Sequence, residues 1–395
     1  MRTRSLLWKL NTSWSAGDPS SCSPYSLRLR AISGATIASS ERKRGLWIIE
    51  TQDQLIGFAR EAIQLKSPPS MFVDWFGGEP LLAPAIIERL STAFIQICDR
   101  HGVAYRAQVI TNGTRLDANL AAMLERSRVD RVQITLDGPA SIHDVRRPYH
   151  SGSGSSFAKI IEALSCILGK FVIRLRINVD RNNLHSVWPL LDFFEGQGWI
   201  GADTNFYPYL ARISAFTEAC SGFAKQVSTL EEFYEVQFRW MERLRELGVA
   251  VEEHGLYQFP EPKLYNCGAV GHNGFVFTPD GEIHKCGLEV DDSSRAIGRL
   301  REPLQYDSPQ RERFSKYSPF QNQVCRECEF LPTCLGGCPR DRIEDHVVEV
   351  KNNCEFHKRF ERELLMFHLG YMPYALGDRH SVPSAESSVL FPIIQ

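Results

Sequence analysis

Short apolar runs alternate with longer segments of helical spacing between about residue 46 and residue 210. The apolar runs end in polar or glycine-rich turns, which is typical of buried strands. The predicted strands are Met71–Phe76, Ala104–Thr111, Val129–Leu136, Phe171–Val179 and Asp203–Leu210. The predicted helices between them are Leu82–His101, Asp117–Arg126, Phe157–Gly169 and Leu184–Gly196. This alternation predicts an α/β fold with a parallel sheet, whose active site lies at the carboxyl ends of the strands.

The second half of the chain divides into a helical segment, a hairpin and a region dense in cysteine. Thr229–Leu247 has helical spacing, and Gly274–Cys286 contains two short runs around the turn-forming residues 278–281. Residues 325–354 are so rich in cysteine and glycine that bound metal, more than an apolar core, is expected to shape them. Before residue 46, Leu6–Leu10 is a candidate short strand.

Size and charge limit the classes of function. The chain has 395 residues, of which 43% are hydrophobic, and this length supports two or more domains. The formal net charge is -2 and no run of 18 apolar residues occurs, so we expect neither a nucleic-acid partner nor a membrane span. Residues 1–45 differ from the rest, with eight Arg or Lys, two acids and ten serines. That composition is typical of a transit peptide, of disorder or of out-of-frame translation.

The cysteines are concentrated near the C-terminus. Seven of eleven lie between Cys267 and Cys354, a distribution that favours a reduced, metal-binding protein over a disulfide scaffold. The spacing Cys325-x2-Cys328-x5-Cys334-x3-Cys338 allows neighbouring thiolates to reach different irons of one cluster. Zinc sites also use Cys-x2-Cys, but seven cysteines do not divide evenly into four-thiolate sites. Spacing alone therefore favours iron–sulfur clusters and leaves zinc open.

A second candidate site lies at the strand ends. The sequence Phe76-Gly77-Gly78-Glu79-Pro80 combines glycines that admit a close backbone approach with a carboxylate that can accept from an ammonium group. A strand-ending turn before a helix explains the same residues equally well. Further polar residues at or just after the ends of predicted strands are Thr111, Asn112, Thr135 and Asn178.

The whole cysteine array is similar to the SPASM domain, the twin-cluster extension of many radical S-adenosylmethionine (SAM) enzymes, and all seven cysteines match. The resemblance implies two auxiliary 4Fe-4S clusters. The implied ligands are Cys325, Cys328, Cys334 and Cys354 for one cluster, and Cys267, Cys286 and Cys338 for the other. Asn273 stands where some members have a further cysteine. The second cluster is therefore expected to have an open iron or a non-thiolate ligand such as His272.

The strand-end motifs resemble those of radical SAM enzymes in order and position, and the resemblance covers about residues 47–356. It implies a partial (β/α)6 radical SAM barrel followed by the small cysteine-rich SPASM domain. The implied SAM-binding residues are Gly77, Gly78, Glu79, Pro80, Thr111, Asn112, Thr135, Arg147 and Asn178. In this pattern Glu79 grips the SAM ammonium, and Arg147 binds the SAM carboxylate, for which an Arg fork is suited.

These expectations divide the chain into five segments. They are an atypical basic N-terminus (1–45), a radical SAM core (46–212), a helical linker (213–262), a SPASM domain (263–356), and a C-terminal helix and tail (357–395).

The sequence departs from the family where the SAM-binding cluster is expected. Radical SAM enzymes carry Cys-x3-Cys-x2-Cys after the first strand, and the open iron chelates SAM. After Leu6–Leu10 only Cys22 is available, while Cys98 and Cys166 fit amphipathic helices as core residues. Three explanations remain open: a frame-shifted N-terminal segment, a natural pseudoenzyme, or ligands from other residue types or a partner.

A second departure concerns the substrate. Anaerobic sulfatase maturases resemble this architecture and have an aspartate directly after the cysteine that matches Cys286, whereas this chain has Gly287. This favours radical maturation of a ribosomally made peptide or protein by thioether formation, C–C crosslinking or epimerisation. The alternatives are an inactive iron–sulfur peptide-binding protein and a sulfatase-maturase-like enzyme. The family also implies a reductant such as flavodoxin or ferredoxin and a cytoplasmic location.

Overall fold

The computed structural model describes residues 27–33, 47–149, 154–213, 226–251, 262, 267–302, 308–345 and 347–369. The strands of the first half are β1 (Leu27–Ser33), β2 (Ser70–Gly77), β3 (Ala104–Thr111), β4 (Val129–Leu136), β5 (Val172–Val179) and β6 (Phe206–Arg212). The helices are α1 (Ile49–Lys66), α2 (Pro84–His101), α3 (Ala118–Arg126), α4 (Ala140–Arg146), α5 (Ser156–Ile167), α6 (Val187–Gly196) and α7 (Leu230–Glu246). Within these described segments, no helix has the length and apolar composition needed to cross a membrane.

The predicted α/β class is confirmed, because strands β1 to β6 are parallel and lie side by side in chain order. Three short strands of the second half extend the same sheet beyond β1: β7 (Gly274–Phe277), β8 (Glu282–His284) and β9 (Gly298–Arg299). Strand β7 is parallel to β1, and β8 and β9 are antiparallel to their neighbours. We call the part of the chain that contains β1 to β6 the barrel-like half, and the part from β7 onward the cysteine-rich half. Because β7 pairs with β1, strand β1 joins the two halves in one sheet.

Strand β1 was not predicted. Its sequence alternates leucine and arginine inside a basic, serine-rich segment, so the apolar signal of a buried strand is weak there. In the sheet, Arg30 pairs with Asp74 of β2 on one side and with Val276 of β7 on the other. The candidate strand Leu6–Leu10 lies outside the described residues.

The two faces of the parallel sheet differ in polarity. Alternate strand residues such as Trp75 and Ile134 belong to the buried apolar core together with helix residues such as Leu90. The intervening residues face the other way. Arg174, paired in register with Gln133, lies 4.9 Å from the ring centroid of Tyr209, whose hydroxyl donates to Gln133 Oε1 at 3.1 Å. The inner face is therefore polar.

Five further α-helices lie in the described part of the cysteine-rich half. They are α8 (Pro309–Ser315), α9 (Gln323–Arg326), α10 (Leu331–Cys334), α11 (Pro339–Ile343) and α12 (Val347–His368). Helix α12 packs on α7, because Tyr234 stacks on Phe360 with ring centroids 4.5 Å apart and Arg245 lies 3.8 Å from the ring centroid of Phe367. This contact fixes α12, which carries Cys354, against the first half of the molecule.

Candidate functional site

Glu79 ties together the ends of β2 and β3. It is 3% exposed; its Oε1 accepts from Thr111 Oγ1 at 2.6 Å and from the Leu81 amide at 3.0 Å, and its Oε2 accepts from the Asn112 amide at 2.7 Å. Burial raises the pKa of Glu79 although these hydrogen bonds oppose the shift. The structure therefore gives this predicted SAM ligand a role in holding two loops together.

The neighbouring predicted residues shape the same loops. Gly77 has φ of 139°, a conformation that favours glycine, and both Gly77 and Gly78 are exposed. Pro80 is buried at the start of a short 3-10 turn. The Asn112 Oδ1 accepts from the amide and the hydroxyl of Thr114, at 2.9 and 2.7 Å. These loops leave exposed glycine backbone at the strand ends.

Arg147 and Asn178 converge on Asp137 at the end of β4. Arg147 Nε donates to Asp137 Oδ2 at 2.7 Å, and Asn178 Nδ2 donates to Asp137 Oδ1 at 3.1 Å. Arg176 Nε donates in turn to Asn178 Oδ1 at 2.8 Å. Asp137 is buried, and no role is predicted for it from the sequence, although it directly follows a predicted strand. The predicted carboxylate-binding arginine is thus already paired with a carboxylate of the chain itself.

Thr135 and His143 flank this ion pair. The backbone register places Thr135 beside Arg176, and the Thr135 hydroxyl makes no hydrogen bond within the described part of the chain. His143 is fully buried, and its Nδ1 accepts from the Asp137 amide at 3.1 Å. Burial lowers the pKa of His143, so the ring is neutral and acts as a support for the Asp137 loop.

The chain offers no cysteine at the strand end where the SAM-binding cluster is expected. Strand β1 is the strand that precedes β2 in the sheet, so the segment that follows it begins at residue 34. Residues 34–97 contain no cysteine, since Cys22 precedes β1 and the next cysteine, Cys98, is buried in α2. Burial also raises the pKa of Cys98 to about 12, which disfavours a thiolate. The chain therefore does not fit this cluster.

The seven C-terminal cysteines are free thiols that fall into two groups. Burial raises the pKa of Cys325, and its neighbouring thiols Cys328, Cys334 and Cys354 raise it further. Burial raises the pKa of Cys338 to about 12, and there the neighbouring thiols are Cys267 and Cys286. We call Cys325, Cys328, Cys334 and Cys354 the first thiol set, and Cys267, Cys286 and Cys338 the second thiol set.

The polar groups around the first thiol set are compatible with a bound iron–sulfur cluster. Within the described residues, no three His, Cys, Asp or Glu side chains are close enough to hold a single metal ion. A four-iron cluster is larger than one ion and takes its thiolates at wider separation. The Tyr317 hydroxyl is buried without a hydrogen-bond partner in the described part of the chain, near Cys325, Cys334 and Cys338. A buried unsatisfied hydroxyl is costly, and an acceptor sulfur of a cluster would satisfy it.

Three side chains lie against sulfurs of the first thiol set. Asn353 Nδ2 donates to Cys334 Sγ at 3.3 Å, and Arg342 Nη2 donates to Cys354 Sγ at 3.4 Å. His357 lies close to Cys334. His357 and Asn353 hold the pKa of Cys334 below its ordinary value although burial, the largest influence, opposes them. These residues were not predicted from the sequence. Asn353 and His357 lie close to Cys354 on the same helix, and that proximity could have indicated them.

The second thiol set has no fourth cysteine at Asn273, as the sequence indicated. Asn273 Oδ1 accepts from Lys66 Nζ at 2.8 Å, and the proposed alternative ligand His272 is exposed. Lys285, next to Cys286, is buried and donates to the carbonyls of Gly271 and Gly274 at 2.5 and 2.7 Å. Burial lowers the pKa of Lys285 to about 7. Two lysines therefore lie near the second thiol set: Lys66 donates to the Asn273 side chain, and Lys285 donates to backbone carbonyls.

Residues 22–182 match the family model described as the radical SAM superfamily. Together with the parallel sheet and the strand-end loops, this match shows that the protein carries a radical SAM domain. The fold predicted from the sequence is confirmed, because the solved structures of anSMEcpe and SuiB share its architecture.

Curated relatives share most of the chain at low identity. A cysteine-type anaerobic sulfatase-maturating enzyme of Clostridium perfringens is 23% identical over 303 residues, which cover 72% of this chain and 78% of the relative. A serine-type anaerobic sulfatase-maturating enzyme of Bacteroides thetaiotaomicron is 22% identical over 317 residues, 75% of each chain.

Two solved structures support the fold across both halves. The structure of anSMEcpe, solved with bound AdoMet and the Cp18Cys peptide, has a TM-score of 0.63 at 18% identity, covering 87% of this chain and 99% of that one. SuiB of Streptococcus suis, solved with its precursor peptide SuiA, has a TM-score of 0.53 at 14% identity, covering 85% of this chain and 81% of that one.

Proposed function

We propose that this chain is a SAM- and peptide-binding radical SAM/SPASM protein that holds two auxiliary 4Fe-4S clusters but does not itself generate a radical. One observation carries the proposal: no cysteine occurs between the end of β1 and α2, where the radical-generating cluster would be ligated. That cluster supplies the electron that cleaves SAM in the family. We therefore assign the chain no cleavage step.

Binding of SAM at the strand ends is supported by the groups gathered there. The exposed backbone of Gly77 and Gly78 at the end of β2 lies at the same edge of the parallel sheet as the Thr135–Asp137 end of β4, with β3 between them. Arg147, with 42% of its side chain exposed, can exchange the Asp137 carboxylate for that of SAM. Because this exchange leaves Asp137 buried with one fewer donor, SAM affinity is expected to be modest.

A peptide or protein partner is supported by the relatives, since anSMEcpe and SuiB were each solved with a peptide bound. The polar inner face of the sheet offers the groups that a peptide backbone needs, among them the Tyr209 hydroxyl and Arg176. We propose residues 263–356 as the SPASM domain of this assembly. Oxygen-sensitive clusters suit a reducing compartment, so we propose the cytoplasm as its location.

The second candidate is an active peptide or protein maturase, favoured by the relatives named sulfatase-maturating enzymes. The missing ligands would then come from a partner, from other residue types or from a different reading of the N-terminal segment, and a flavodoxin or ferredoxin would supply the electron. Gly287 in place of the aspartate argues against sulfatase maturation. Glu289 is already paired with Arg313 at 3.0 Å and does not replace it. Thioether formation, crosslinking or epimerisation would then be the reaction.

Anaerobic purification followed by iron analysis and a SAM assay separates the candidates. The proposed function predicts about eight irons per chain, measurable SAM binding by calorimetry and no 5′-deoxyadenosine after reduction. About twelve irons and 5′-deoxyadenosine would establish the maturase instead. A colourless, zinc-loaded protein without affinity for SAM would contradict both.

A further inference from the structure

Polar side chains fill the space where the Cβ atoms of Gly336 and Gly337 would be. Both residues have positive φ, at 77° and 78°, a conformation that favours glycine. A Cβ atom on Gly336 would lie 2.5 Å from the Tyr317 hydroxyl, and a Cβ atom on Gly337 would lie 2.5 Å from Asn353 Nδ2. Both glycines are therefore needed for these polar groups to approach the backbone. We call Gly336 and Gly337 the glycine pair.

The contacts around the glycine pair lead to sulfurs of the first thiol set. Asn353 Nδ2 donates to Cys334 Sγ at 3.3 Å. Arg342 donates from Nε to the Gly336 carbonyl at 2.8 Å and from Nη2 to Cys354 Sγ at 3.4 Å. Burial is the largest influence on the pKa of Cys334 and raises it, but the Gly336 amide is among the groups that hold this pKa below its ordinary value. A cluster on the first thiol set would therefore have sulfurs close to the glycine pair.

The Tyr317 hydroxyl lies at the same glycine pair. It is buried, and it has no hydrogen-bond partner among the residues that the structure describes. Burial raises the pKa of Tyr317 to about 12, so the hydroxyl keeps its proton and can donate. Cys325 and Cys334 of the first thiol set and Cys338 of the second reinforce this shift. A donor buried at this place gains from an acceptor, and the sulfurs of an iron–sulfur cluster accept hydrogen bonds.

We propose that the Tyr317 hydroxyl, admitted by the absence of a Cβ atom on Gly336, donates a hydrogen bond to the cluster on the first thiol set, retains that cluster and raises its reduction potential. Reduction adds negative charge to a cluster, so a donor at its sulfurs stabilises the reduced form. The inference rests on the proposed function, because it requires the auxiliary clusters to be present. It does not depend on whether the chain cleaves SAM.

The test compares Tyr317→Phe with the wild type in two states of the full chain, because this change removes only the hydroxyl. In the metal-free protein, urea unfolding is expected to show no loss of stability. In the anaerobically loaded protein, a redox titration followed by EPR spectroscopy is expected to show a lower midpoint for the first-set cluster. A chelator is also expected to remove iron faster from the loaded variant. A tyrosine with a purely structural role would not separate the two states in this way.

Two further variants make the comparison specific. Cys286→Ala, which is expected to remove the second-set cluster, leaves a single EPR signal in which the Tyr317→Phe shift is measured. Tyr105→Phe is the matched control, because the Tyr105 hydroxyl is buried and donates to Ser91 Oγ at 3.3 Å. We expect this control to lower the stability of the metal-free protein and to change neither the midpoint nor the rate of iron release.

Unchanged midpoint and unchanged iron release in Tyr317→Phe would overturn the inference, whereas a content of about eight irons would leave the proposed function standing. A loss of metal-free stability as large as that of Tyr105→Phe would also overturn it, since the hydroxyl would then have its partner in the protein itself. Metal analysis before the titration would reveal a protein without iron, which would overturn the proposed function as well.

Discussion

Single residues at the strand ends connect loops that are far apart in sequence. Glu79 joins the β2 and β3 loops, and Asp137 joins Arg147 of the α4 end to Asn178 of β5. Because the Glu79 and Asp137 carboxylates are buried and hydrogen-bonded, their first role is to fix the shape of the candidate SAM site.

Replacement of Glu79 by alanine is expected to destabilise the fold. The change leaves the Leu81 and Asn112 amides and the Thr111 hydroxyl without their acceptor, at a cost of about 1–3 kcal/mol in unfolding free energy. Urea denaturation of the metal-free protein measures the loss. Glu88→Ala, which removes an exposed ion pair with Arg126, serves as the control and should cost less than about 1 kcal/mol. Equal losses in the two variants would mean that Glu79 has no such structural role.

His143 predicts a specific pH dependence of stability. Burial lowers the folded-state pKa of His143, so below its ordinary value of about 6.5 the unfolded chain binds more protons than the folded chain. The contribution of His143 to stability is complete above that ordinary value and is lost as the pH falls from it through the lower folded-state pKa. His143→Asn is therefore expected to lose less stability than wild type between about pH 7.5 and about pH 5.5 in urea unfolding. His101→Asn, at an exposed position, should keep the wild-type difference.

Among the elements, α12 connects the cysteine-rich half to the barrel-like half. Its aromatic residues stack on α7, and the same helix supplies Cys354 and His357 to the first thiol set. Packing of an apolar helix face is therefore coupled to metal binding, since loss of the packing moves a ligand and its hydrogen-bond donor together.

Phe360→Ala should test this coupling. Phe360 is fully buried, and its removal is expected to cost about 3–5 kcal/mol of stability. We expect a lower thermal midpoint and a lower iron content after anaerobic purification, because the position of Cys354 becomes less defined. Leu365→Ala, at a site 40% exposed on the same helix, should affect both quantities little. Normal iron content in a destabilised Phe360→Ala protein would show that the two are independent.

For the whole molecule, the proposed twin-cluster arrangement predicts how iron responds to cysteine removal. Cys328→Ala and Cys286→Ala should each remove about four of about eight irons, and the double variant should remove nearly all of them. Cys98→Ala is the matched control: its thiol is buried in the core beside Met71, so stability should fall while the iron content stays constant. A loss of all iron in either single C-terminal variant would mean that the sets are not separate sites.

Much of the fold was predictable because strands β2 to β6 and the helices between them carry strong apolar periodicity. The α/β class, the position of the strand-end loops and the concentration of cysteines all follow from residue pattern. Strand β1 escaped prediction because Arg28 and Arg30 interrupt its apolar run. Partners such as Thr111 for Glu79 and Asn178 for Asp137 escaped it because these hydrogen bonds join residues 32 and 41 positions apart.

The order of apolar and polar residues by itself determined that this chain forms a parallel α/β domain with a cysteine-rich extension, because local periodicity selects helix or strand at each position. Only the tertiary structure decided where the first strand lies, and therefore that no cysteine follows it before α2. It also decided that α12 brings His357 close to Cys334. Such contacts depend on how separate elements pack in space, which spacing along one chain does not specify.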